Sequence, residues 1–398
     1  MLSSQEIREK DQKYIMQTYG RFPVAIVRGE GARVFDPEGR EYIDFTSGIG
    51  VCSVGYGNRE WAQAIYDQAC RLGHISNLFY TEPSVILAER LCKASGMARV
   101  FFANSGAESN EGAIKLARKY SYDRYGAGRS RIITLRQSFH GRTVTTLAAT
   151  GQDVFHTNFF PFTEGFSHVP AGDLAALKKE LSAGDVCAVM MELVQGEGGV
   201  LPLDRAYVHA VEALCRENDV LLVIDEVQTG MGRCGKLFAF MEYGVSPDVV
   251  TTAKGIAGGL PLGAVFAAKS CEETLSAGTH ATTFGANPIC TAAANKVLDL
   301  LEGGVLDEVA EKGAYIRARV EAMQLKIVSG TRGLGLMIGV VVPEGMHKTL
   351  AAQLVSAGLL CITAGRDAIR FLPPLTITYE EIDRGLAIFQ SVLQEVSV

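Results

Sequence analysis

Two apolar runs in this chain each end in a charged residue. Val220–Ile224 leads into Asp225, and Val249–Ala253 leads into Lys254, 29 positions further on. Charged groups are costly to leave unpaired in such surroundings. A buried salt bridge would satisfy both. Two strand ends aiming an acid and an amine into one crevice would instead suit a cofactor that needs both an anion and an amine. The lysine would attach to it as a Schiff base, and the acid would pair with a protonated ring nitrogen.

Other segments could complete such a site. Asn104-Ser-Gly-Ala-Glu-Ser-Asn110 follows one apolar run and opens a helical pattern. Free N–H groups at a helix start bind anions, although Ser105 also reads as an ordinary N-cap. Ser138-Phe-His-Gly-Arg-Thr143 offers Phe139 to stack on a flat ring and Arg142 to hold a carboxylate by two hydrogen bonds. His140 carries no acid–base role on this pattern alone. Gln195-Gly-Glu-Gly-Gly199 is a flexible turn that would project Glu197 toward the same crevice. Ala281-Thr-Thr-Phe-Gly-Ala-Asn-Pro288 brings two hydroxyls on a loop, and Arg370 lies within an apolar strand, where an arginine needs an anionic partner. Gly230-Met-Gly-Arg-Cys-Gly235 matches the dinucleotide fingerprint, but Asp-Glu-Val-Gln-Thr separates its first glycine from the apolar run ending at Ile224.

The elements that must position these residues alternate. Strands are expected at Val100–Ala103, Arg131–Leu135, Val186–Val194, Val220–Val227 and Val249–Thr252, with helices such as Glu108–Tyr125 and Ala206–Glu217 between them. That alternation predicts a mostly parallel sheet covered by helices, with binding loops at the carboxyl ends of the strands. Ala32–Phe45 reads as a hairpin turning at Asp36–Gly39. The last hundred residues read as helix Ile289–Leu301, strand Leu334–Val342, helix Lys348–Ala357, strands Leu359–Ile362 and Ile369–Leu372, and a helix opened by the capping box Thr378 and Glu381. These suggest a second, smaller α/β domain joined by the N-terminal hairpin. The expected division is 1–50, 51–290 and 291–398.

With 398 residues, 47% hydrophobic and 21% charged, the chain can bury a large core. A net charge of −6 and the lack of a basic stripe argue against a nucleic-acid partner. No signal peptide or membrane span is read, and the nine cysteines are scattered without a C-x-x-C pair. They fit small buried hydrophobes in a reducing cytoplasm.

Taken together, Ser76–Pro83, Phe101–Gly106, Phe139–Thr143, Leu147–Gly151, Asp225–Arg233 and Arg370–Leu375 resemble the class III (subgroup II) pyridoxal-phosphate aminotransferases of fold type I, and within them the acetylornithine branch. The resemblance runs from about Gly29 to Ile382. It implies a seven-stranded, mostly parallel sheet in the large domain. It also implies a role for each residue. Lys254 carries pyridoxal 5'-phosphate and shuttles a proton, while Asp225 holds the ring nitrogen protonated. Gln228 bonds the phenolic oxygen and Phe139 stacks on the ring. Ser105, Gly106 and Ala107 cradle the phosphate, with Thr283 reaching it from a neighbouring subunit. Arg142, with Thr282 nearby, takes the substrate α-carboxylate. Arg370 binds the glutamate carboxylate and pairs with Glu197 in the other half-reaction. Ala107 stands where the family commonly has Thr, Thr282 where Ser is usual, and Ala281 where Gly is usual.

The implied activity is transfer of the δ-amino group of N2-acetyl-L-ornithine to 2-oxoglutarate in arginine biosynthesis. The enzyme would be a cytoplasmic homodimer that uses no metal. Ornithine, succinylornithine, acetyl-lysine, succinyl-diaminopimelate and 4-aminobutyrate are alternative donors. An aminomutase of the same fold and a nicotinamide dehydrogenase built on Gly230–Gly235 are alternative activities.

Overall fold

In the computed structural model, which describes residues 2–396, seven strands form the central sheet. Their spatial order is Arg99–Ala103, Gly263–Ala267, Val249–Thr252, Leu221–Asp225, Val186–Met191, Arg131–Leu135 and Phe166–Val169. All run in one direction except Gly263–Ala267, which is antiparallel to both neighbours. Strand side chains alternate between faces, and here both faces are apolar. Leu221 and Val223 pack with Ala113, Ile114 and Ala117 of helix Gly106–Tyr125 in one cluster, whereas Leu222 and Ile224 belong to the other.

Most of the expected strands appear within two residues, and the departures have local causes. The fourth expected strand ends at Asp225 rather than Val227, because the Asp225 carboxylate accepts the Val227 N–H at 2.9 Å and turns the chain. The third ends at Met191 because Glu192 folds back to accept the Phe139 and Gly196 N–H groups; Val194–Gln195 then pairs separately with Leu201–Pro202. The structure adds Gly263–Ala267 and the edge strand Phe166–Val169.

The chain's two ends meet. Hairpin strands Arg33–Phe35 and Glu41–Asp44 pair with each other, and Ile43 and Asp44 pair in parallel with Leu359 and Leu360. A second four-stranded sheet joins Gly330–Leu334, Met337–Val341, Ala368–Phe371 and Ile362–Ala364. Helix Tyr379–Gln394 begins with the expected capping box, and Glu381 also accepts the Ala32 N–H at 2.9 Å. No helix among the described residues is long and apolar enough to cross a membrane. All nine cysteines are free and six are buried.

One buried acid holds the turn beyond Asp225. Glu226 is fully buried and accepts the Phe240 N–H at 2.7 Å and the Thr229 hydroxyl. Burial pushes its carboxyl up to about 7. Glu226→Ala leaves these donors without an acceptor and should cost about 1–3 kcal/mol in urea unfolding. The native state holds the Glu226 proton to higher pH than the unfolded chain, so this group's contribution to stability falls as pH rises from about 4.5 to 7. Glu226→Gln lacks that titration, and its stability relative to the parent should therefore improve across the same window.

Candidate active site

The carboxyl ends of the parallel strands open onto a cavity of about 470 Å³, within the range of small-molecule sites. Ser105, Gly106, Ala107, Phe139, Arg142, Asp225, Gln228 and Lys254 all line it. The reversed strand contributes from its other end: Gly259–Leu262, just before Gly263, form part of the wall.

Asp225 is 3% exposed and held from several directions. Its Oδ2 accepts from Asn110 Nδ2 at 2.7 Å and lies 2.8 Å from His140 Nδ1, while Oδ1 accepts the Val227 N–H. Asn110 is itself fixed, because its Oδ1 accepts the Thr251 hydroxyl at 2.7 Å. Lys254 follows strand Val249–Thr252 with φ at +45°, a left-handed conformation that a lysine rarely adopts. Burial holds its amine below the usual lysine range, against the opposing fields of Glu197 and Asp225. A lysine with a lowered pKa is a competent nucleophile toward a carbonyl.

Helix Gly106–Tyr125 opens at the cavity. Ser105 caps it by accepting the Glu108 N–H, so the Gly106 and Ala107 N–H groups have no intrahelical acceptor. At Gly106 the wall is tight; a Cβ there would sit 2.6 Å from Val227 Cγ1. Phe139 meets Phe155 edge-on with ring centroids 5.9 Å apart, and the Arg142 guanidinium lies 4.2 Å from the Phe155 ring centre. That contact orients an otherwise exposed arginine at the cavity.

Behind Gln228 lies the second arginine. Arg370 is 2% exposed, and its NH1 donates to Glu197 Oε1 at 2.6 Å and to Gln228 Oε1 at 3.0 Å. Burial alone would raise the Glu197 carboxyl, but Arg370, with Lys254 and Gln228, outweighs it and holds the group below the usual range.

Four expected residues do not line the cavity within one chain: Glu197 and Arg370 pair with each other beyond Gln228, and Thr282 and Thr283 lie on the 281–288 loop. Thr282 does not line the cavity beside Arg142 within one chain; its hydroxyl accepts at 2.9 Å from Nδ2 of Asn104, which does line it. Thr283 is exposed outside the cavity, so its expected phosphate contact requires a second copy. The dinucleotide fingerprint, set aside on its distance from the strand, has no helix start behind it. Residues 230–238 are turns rather than a helix start, and Arg233 is buried, donating to the Leu336 and Pro373 carbonyls.

Sequence reasoning missed Asn110, Glu192 and Phe155 and gave His140 no role. Glu192 carried the same signal as Asp225, a carboxylate ending a buried apolar run. Burial pushes it up to about 7 against the pull of His140. Phe155 had no local signal, because only the fold brings it under Arg142.

The donor set fits pyridoxal phosphate. A helix start can take the phosphate, Asp225 a pyridinium N–H, Phe139 a ring face, and Lys254 the aldehyde carbon. Such a cavity at the carboxyl edge of a mostly parallel sheet defines a pyridoxal-phosphate-dependent transferase. The chain belongs to the aminotransferase class-III family, whose model matches residues 14–393. It is 51% identical over 396 residues to an acetylornithine aminotransferase of Haemophilus ducreyi, covering 99% of this chain and 100% of the relative. Against one from Caldanaerobacter subterraneus it is 46% identical, covering 97% and 98%. Among solved structures it resembles the ornithine aminotransferase of Toxoplasma gondii, with TM-score 0.94 and 32% identity over 99% of this chain and 95% of that one. It also resembles an N-acetylornithine aminotransferase of Stenotrophomonas maltophilia, with TM-score 0.84 and 38% identity over 96% and 97%.

Borohydride reduction followed by peptide mapping should place a pyridoxyl adduct on Lys254. Lys254→Ala should give none, and an adduct on any other lysine of the parent would contradict the site.

Proposed function

We propose that the protein moves the δ-amino group of N2-acetyl-L-ornithine to 2-oxoglutarate, giving N-acetyl-L-glutamate 5-semialdehyde and L-glutamate. One observation carries the reading: two arginines, Arg142 on the cavity wall and Arg370 bonded to the lining residue Gln228, stand in opposite states. Arg142 is exposed and free to receive a carboxylate, whereas Arg370 is covered by Glu197. A donor that reacts at a side-chain amine brings its α-carboxylate to Arg142 and needs Arg370 screened. Glutamate reacts at its α-amine and needs Arg370 uncovered. The acetylornithine aminotransferases among the relatives support this donor.

When bound, the cofactor supplies an electron sink for the carbon that loses a proton. Lys254 moves that proton, as its lowered basicity allows. Asp225, held by Asn110 and His140, keeps the ring nitrogen protonated. Gln228 links the cofactor side of the cavity to Arg370.

The reading includes a homodimer. Leu78 is 86% exposed and Tyr80 fully so, with Phe79 and Phe284 also exposed. Asn77 ties the first segment to the loop that carries Thr283 by donating to the Gly285 carbonyl at 2.8 Å. A second copy covering this face would bury it and carry Thr283 toward the neighbouring cavity. The partners are small-molecule substrates, and the proposed setting is arginine biosynthesis in the cytoplasm.

Single-turnover mixing of the holoenzyme with acetylornithine should convert the bound cofactor to its amine form. Silence toward this and every other ω-amino donor would overturn the reading. A panel of ornithine, succinylornithine, acetyl-lysine, succinyl-diaminopimelate and 4-aminobutyrate should rank below acetylornithine in kcat/KM. Arg370→Gln should slow the glutamate half-reaction about 100-fold, the loss of a charge-assisted carboxylate contact. Arg142→Ala should lower kcat/KM for acetylornithine by a similar factor, about 100-fold.

A further inference from the structure

The loop that carries Glu197 is fastened to the small C-terminal sheet at several points besides Arg370. The Gly365 N–H donates to the Glu197 carbonyl at 2.9 Å. Arg332 Nε donates to the Gly199 carbonyl at 2.6 Å. The same guanidinium grips Asp367 with two further bonds, NH2 to Oδ1 at 2.6 Å and NH1 to Oδ2 at 3.2 Å. All three of its nitrogens are thereby used, and the fork geometry leaves it little freedom.

The register places this anchor beside the substrate arginine. Arg332 pairs with Gly339, and Gly339 pairs with Arg370 on its other side. Cross-strand partners share a face of the sheet, so both arginines stand in one row facing the 195–200 loop. Contact is close: a Cβ at Gly365, whose φ is +57°, would lie 2.6 Å from the Gly198 carbonyl. The loop also stores strain. Val200 has φ at +57°, which a β-branched residue does not hold without outside support. Arg332 holds the carbonyl immediately before it.

We propose that Arg332, braced by Asp367, is a positioning residue that keeps Glu197 over Arg370 and so sets the balance between the two half-reactions. Releasing Gly199 frees the loop to lift Glu197 away. Arg370 then meets an incoming α-carboxylate more often, and screening weakens for donors that react at a side-chain amine. The inference rests on the exchange of Arg370 partners described above. Arg332 and Asp367 lie off the cavity wall and reach Glu197 through the Gly199 carbonyl of its loop.

The test uses the holoenzyme with Arg332→Ala, Arg332→Lys and Asp367→Asn. Single-turnover rates are measured with glutamate and with the best ω-amino donor. Glutarate, a dicarboxylate that cannot react, is titrated calorimetrically. Hydrogen exchange is followed across residues 195–200. In Arg332→Ala the ratio of glutamate to ω-donor kcat/KM should rise about tenfold, the scale of one lost charge-assisted hydrogen bond. Glutarate should bind more tightly, and the loop amides should exchange faster. Arg332→Lys and Asp367→Asn should fall between this variant and the parent. A ratio that stays constant while both rates fall together would assign Arg332 a purely structural role and overturn the inference. Unchanged loop exchange would overturn it as well. If the parent itself fails to use glutamate through Arg370, the exchange reading fails first, and the Arg370→Gln variant shows this separately.

Discussion

The site depends on one buried carboxylate having a fixed direction. Asp225 ends the central strand of the sheet, and its hydrogen bonds reach into two other segments: Asn110 on the helix after the first strand and His140 on the loop after the second. Thr251 on the neighbouring strand fixes Asn110 in turn. The helix that begins at Gly106 and the Phe139–Arg142 loop are therefore referenced to the same carboxylate, and the strand before Lys254 is tied to it through Asn110. Buried networks of this kind stiffen a site because every member loses a partner if one moves. Lys254, which lines the cavity, is left-handed, and such conformations persist only where surrounding packing over-determines them.

Much of this was legible in the sequence, for a physical reason. A strand buried on both faces must be apolar throughout, so a charge at its end stands out; Asp225 and Lys254 were found that way. Glu192 had the same form and was passed over, because the strand was read through it to Val194. The hidden elements were those whose composition says little. Gly263–Ala267 is as long as its neighbours, but Gly-Gly-Leu-Pro-Leu leads into it and no α-helix separates it from Val249–Thr252, so it lacks the strand–helix–strand spacing that marks a parallel strand. Contacts between distant segments, such as Arg142 on Phe155, have no local signature. Thr282 and Thr283 were placed by resemblance, and within one chain neither touches the cavity.

The structure divides the labour between its sheets. Groups suited to hold and protonate the cofactor sit on the large sheet. Arg370, Arg332 and the support for Glu197 come from the small one. Ornithine and acetylornithine aminotransferases both superpose closely on this chain. That is expected if the common fold fixes the chemistry while a few side chains at the junction choose the substrate.

The reversed strand also governs the order in which the protein can be built. Arg99–Ala103 touches the rest of the sheet only through Gly263–Ala267. As the chain leaves the ribosome, the first strand therefore has no strand partner until some 160 further residues have been made, a count set by positions 103 and 263, although helix Gly106–Tyr125 beside it can already pack on Leu221 and Val223. By then Asp225 and Lys254 have already emerged. The strand that leads into Ser105 is thus the last to join the sheet, and the stretch of cavity wall it carries is completed only then.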